Sequence, residues 1–81
     1  MPTDASPELL AAFGQAVRAQ RTELGYSQER LAEEVGIHRT YVGDVERGLR
    51  NIGLINIDRL ARALQTDLVE LMRETEVERR R

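Results

Sequence analysis

Residues 28–47 read QERLAEEVGIHRTYVGDVER, and this stretch decides the fold. Ser27 stands where a helix N-cap is wanted, and Leu31, Ala32 and Val35 then recur at helical spacing, which predicts a short helix over 28–35. Gly36 tolerates the positive φ that ends it. Ile37 is the apolar residue that turns inward, and Val42 and Val45 are the buried pair of a second short helix over 39–47, closed by Gly48. Two short helices joined through a tight turn must approach closely, and Ala32 is the small residue at the crossing. Each constrained position carries the residue type that a helix–turn–helix demands.

The flanks supply the rest of a small core. Ser6-Pro7 is a helix start, with Ser6 as N-cap and proline at the first helical position. Leu9, Leu10, Phe13, Val17 and Leu24 then give a first helix over 7–24, stopped by Gly25. Beyond the loop 49–53, the pattern Leu54, Ile57, Leu60, Ala61, Leu64 predicts a fourth helix over 54–64. Asp67 with Glu70 forms a capping box that opens a fifth helix, whose apolar face is Leu68, Leu71 and Met72. No segment alternates as a strand does. The expectation is an all-α, five-helix domain over 7–73, with a flexible lead at 1–6 and a charged tail at 74–81.

Composition narrows the function classes. With 81 residues the chain forms one domain with little room for a deep cleft. There is no cysteine, which removes thiol chemistry and Cys-ligated metals, and His38 is the only histidine. No metal or cofactor is therefore expected, and no paired carboxylates, nucleophile–base pair or glycine-rich phosphate loop suggests an enzyme. The aromatic residues are Phe13, Tyr26 and Tyr41, too few for a single-strand stacking platform. No membrane span or secretory signal is visible, so cytoplasm is the expected compartment. Net charge is −2, yet 37–62 carries five arginines against three acids, and all twelve basic residues of the chain are arginine. Arginine's planar fork suits phosphates and guanine edges.

The sequence resembles the Cro/repressor (Xre-like) helix-turn-helix DNA-binding family. The resemblance runs from Phe13 to Met72. It includes Phe13-Gly14, Val17-Arg18 and Arg21, then Gly25-Tyr26-Ser27-Gln28, Leu31-Ala32 and Val35-Gly36-Ile37. It continues through Val42, Val45-Glu46-Arg47-Gly48, Leu60-Ala61, Ala63-Leu64, Asp67-Leu68 and Glu70-Leu71. Arg39-Thr40-Tyr41 followed by Glu46-Arg47-Gly48 and Arg50-Asn51 looks most like the controller proteins of restriction–modification systems, although other short Xre-like regulators share the string. Three positions depart from the family's usual pattern. His38 replaces a Ser, Thr or Asp N-cap, Ile52-Gly53 replaces Pro-Ser or Pro-Thr, and Gln65 replaces glycine. The resemblance implies a lambda-repressor-like domain that regulates transcription from double-stranded DNA.

In this motif the second helix lies in the major groove with its first residues at base edges. The candidate base readers are Arg39, Thr40, Tyr41, Asp44 and Arg50. Arg39 can pair with guanine O6 and N7, and Thr40 with a base or a thymine methyl. Tyr41 can reach a phosphate or pack on the backbone. Asp44 can accept from a cytosine amino group, or pair within the helix with Arg47 at i,i+3. By resemblance Arg47 and Asn51 grip phosphates and Arg50 touches a base near the dyad. Gln28 points at a phosphate with the dipole of its helix, and His38 stands near another. Arg21 and Glu46 match a structural ion pair of the family.

One such motif reads too few base pairs, so a homodimer on a two-fold operator is expected. Leu54, Ile55, Val69 and Met72 are the candidate dimer surface, or simply the edge of the core. Nothing suggests a small-molecule ligand, and control by concentration, including autoregulation, follows. Glu29 and Glu33, four apart on the outer face of the first helix of the motif, resemble the acidic patch with which related repressors contact the RNA polymerase sigma subunit; otherwise they are two solvated acids. The competing class is an antitoxin-type module that binds a toxin and represses its own operon.

Overall fold

The computed structural model describes residues 6–81, so all but Ser6 of the lead expected at 1–6 lies outside the described residues. Five helices follow one another and, among the described residues, there is no strand: α1 (Pro7–Glu23), α2 (Gln28–Val35), α3 (Arg39–Glu46), α4 (Leu54–Ala63) and α5 (Leu68–Arg79). The core is the set of side chains that the helical spacing selects. Phe13, Ala16 and Val17 of α1 meet Leu31, Ala32 and Val35 of α2, Val42 and Val45 of α3, and Leu60, Ala61, Leu64 and Leu71. Ile52, in the loop before α4, fills the remaining space.

The caps explain the boundaries. The Ser27 hydroxyl accepts from Arg30 N–H at 3.0 Å, and the Asp67 carboxylate accepts from Glu70 N–H at 2.8 Å. Gly36 takes φ 85° at the end of α2, where the amides of Gly36 and Ile37 both donate to the Ala32 carbonyl and so form the tight turn. Gln65 sits at φ 63°, the left-handed position after α4 that usually falls to glycine, and its amide donates to the Tyr26 hydroxyl at 3.1 Å.

Four expectations need correction. Ser6 makes no side-chain cap; only its carbonyl serves α1. The capping box of α5 is half made, because Glu70 turns to Arg73. Leu54, read as core, is 68% exposed. The tail expected at 74–81 is helical through Arg79 and packs along α1. Thr75 is buried there with its hydroxyl donating to the Leu71 carbonyl, and Arg79 reaches across to Glu8 at 3.3 Å.

Candidate nucleic-acid interface

Helix α3 has one buried side, Val42, Gly43, Val45 and Glu46, and that burial turns its first turn outward. His38 caps this turn: its Nδ1 accepts from Thr40 N–H at 3.1 Å. The bond requires a lone pair on Nδ1, so the ring hydrogen sits on Nε2, which is left to donate outward. Arg39 and Thr40 are exposed, and Tyr41 packs its inner edge on the core. Ile37, His38, Thr40, Tyr41, Arg50 and Asn56 line one open groove. Arg39 Nε lies 3.6 Å from Glu29 Oε2, both side chains more than half exposed. Such a pair is worth at most about 1 kcal/mol and yields readily to a phosphate or a base.

Asp44, in the second half of α3, gathers the arginines that follow the helix. Arg47 Nη2 donates to Asp44 Oδ1 at 2.7 Å, and Arg50 Nε donates to Asp44 Oδ2 at 3.3 Å. Arg50 also lies over the Tyr41 ring, its guanidinium carbon 5.0 Å from the centroid. The structure thus brings Tyr41, Asp44, Arg47 and Arg50 together, and leaves Asn51 exposed in the following loop.

Glu46 faces the other way. Arg21 Nε and Nη2 donate to its two oxygens at 2.6 and 3.0 Å, and Gln28 Nε2 adds a third bond at 3.0 Å. Arg21 Nη1 donates to the Tyr26 carbonyl at 2.8 Å. This bidentate network ties α1, the start of α2 and the end of α3. The hydrogen bonds that Arg21 donates to Glu46 raise the Arg21 pKa above its ordinary value, against the opposing effect of burial. The Gln28 side chain, expected at a phosphate, gives its amide to this cluster. Gly14 makes the crossing possible. A Cβ there would stand 2.4 Å from the Val45 carbonyl oxygen and 2.5 Å from that of Glu46.

Of the apolar surface candidates, Leu54, Ile55 and Val69 are 68%, 72% and 64% exposed. Met72 instead packs half-buried against the core, while also lining a shallow groove with Val69 and Val77. Sequence reasoning missed Asn56. Asn56 reaches the α3 groove only through the packing of α4, which no local pattern reports. No group of His, Cys, Asp or Glu suited to a metal ion occurs among the described residues, and no described helix is long and apolar enough to cross a membrane.

A helix-turn-helix family model matches residues 17–71. The chain belongs to the helix-turn-helix family. It is 46% identical over 61 residues to control protein C.BamHI of Bacillus amyloliquefaciens, covering 74% of this chain and 75% of that one. It superposes on the crystal structure of the restriction-modification controller protein C.AhdI from Aeromonas hydrophila with a TM-score of 0.75 and 53% identity, over 76% of this chain and 94% of that one. The fold also matches C.Esp1396I, solved as a tetramer in complex with its natural 35 base-pair operator, with a TM-score of 0.84 at 24% identity over 96% of this chain and all of that one. The chain is thus an Xre-type helix-turn-helix DNA-binding transcription regulator with restriction–modification controller proteins among its close relatives. Its family is one of regulators rather than enzymes, and these relatives favour operator binding over the antitoxin reading.

Proposed function

We propose that the chain works in the cytoplasm as a homodimer on a pseudo-palindromic operator and controls a restriction–modification locus, its own promoter included. The observation that carries this reading is the outward first turn of α3, capped by His38 and backed by a buried opposite side. Arg39 and Thr40 read base edges there, with Tyr41 and Arg50 beside them. His38 Nε2–H, Arg47, Asn51 and the amides at the start of α2 hold phosphates. The net charge of −2 gives no global attraction to DNA, so phosphate binding rests on these local groups. Leu54, Ile55 and Val69, with the exposed part of Met72, form the subunit contact. Neither the relatives nor the contacts of Glu29 and Glu33 support a sigma contact.

Selection of bound duplexes from a random pool tests it. The expected product is a two-fold consensus with half-site centres about 34–36 Å apart, one helical turn. Binding without a consensus, or a consensus with no symmetry, contradicts it.

A further inference from the structure

We propose that Asp44 reads no base itself and is instead the positioning residue that holds Arg50, together with Arg47, ready for DNA. The inference rests on the operator-binding reading and adds a residue role to it. Both carboxylate oxygens of Asp44 are already engaged, Oδ1 by Arg47 and Oδ2 by Arg50. A carboxylate so occupied is a poor acceptor for a cytosine amino group, because that contact first requires the loss of a charge-assisted bond.

The guanidinium geometry says what the contact does. Asp44 takes the Nε edge of Arg50, and the Tyr41 ring supports one face. The end of the fork, the two Nη groups, is the edge that pairs with guanine O6 and N7. Asp44 therefore fixes the stem and orients the reading edge. An arginine free in solution must be ordered on binding, whereas this one is ordered beforehand. Gly43 serves the same cluster: Arg47 Nη1 lies 3.3 Å from where a Cβ would stand, so its guanidinium can fold back over the helix to Asp44.

Asp44 also places a negative charge beside two phosphate-seeking arginines, which weakens attraction to any DNA backbone. Removing it has two opposite effects. Sequence-independent affinity rises, because a repulsive charge is gone. Discrimination falls, because Arg50 is no longer held. A side chain that only stabilised α3 would move neither quantity in this paired way.

The test compares the full chain with Asp44→Ala, Asp44→Asn, Arg50→Ala and the Asp44→Ala/Arg50→Ala double variant. Each is put through the same duplex selection, and affinities are measured on the selected and a scrambled duplex at fixed salt. For both Asp44 variants the expected result is about two- to fivefold tighter scrambled-duplex binding. Preference for the selected duplex falls about fivefold, relaxing the same base pair that Arg50→Ala relaxes, and the double variant loses nothing further. Asp44→Asn keeps the side-chain shape if Asp44→Ala folds poorly. Relaxation at a different base pair overturns the proposal and makes Asp44 a reader. Unchanged preference also overturns it and makes the cluster a solvated ion pair. A wild-type chain that selects no consensus fails earlier, at the operator reading itself.

Discussion

Glu46 and Asp44 lie two residues apart on one helix, and each carboxylate takes two nitrogen-bearing partners. Glu46 is nine-tenths buried and binds Arg21 and Gln28 across three elements. Asp44 is half-buried and binds Arg47 and Arg50, both at least half exposed, within its own region of chain. The chemistry is the same and the burial differs. A buried pair is costly to break because the survivor is stranded in low dielectric, while the partners of a half-exposed pair are rehydrated when it breaks, so the pair adds little to stability. The helix thus has an end that fastens it to the fold and a face whose ion pairs arrange side chains for another molecule.

That contrast can be broken at its strong end first. Glu46→Ala strands the part-buried Arg21 charge and is expected to cost about 3 kcal/mol, the low end for a buried pair, read by chemical denaturation as a lowered midpoint at unchanged slope. A loss under 1 kcal/mol would equate Glu46 with Asp44 and dissolve the distinction. Gly14→Ala attacks the same fastening sterically. Its methyl meets two backbone carbonyls that cannot step aside, and about 2–3 kcal/mol of destabilisation is expected in thermal melting. At the exposed end, His38→Ala removes one cap and is expected to cost about 1 kcal/mol, while His38→Asn keeps a capping oxygen and restores most of it. Asp44→Ala sits at the bottom of the series in stability and near the top in its effect on DNA discrimination.

The central motif was legible because its constraints are local. Caps at Ser27 and Asp67, left-handed stops at Gly25, Gly36 and Gly48, and apolar spacing all act within a few residues. His38 was legible as a departure, and the structure shows that its ring does the capping. The segment 74–81 was not, because Val77 is its only apolar residue. Its helix is held instead by buried Thr75, by i,i+3 pairs such as Arg79–Glu76, and by the Arg79–Glu8 bridge to α1. Gln28 reads as a phosphate contact in the sequence because its partner Glu46 lies eighteen residues away, beyond the reach of any local pattern. Asp44 carried two readings from the sequence, and the structure shows the intrahelical pair with a third member, Arg50.

The most direct test of the account is an affinity comparison of wild type and Arg39→Ala on the selected operator and on a scrambled duplex. Arg39 sits on the exposed first turn of α3. If that turn reads bases, the preference for operator falls by about tenfold or more, with a relaxed base pair in each half-site and an unchanged melting temperature. If affinity for both duplexes falls in equal proportion, Arg39 is only a positive charge near phosphates, and the proposed reading face is wrong.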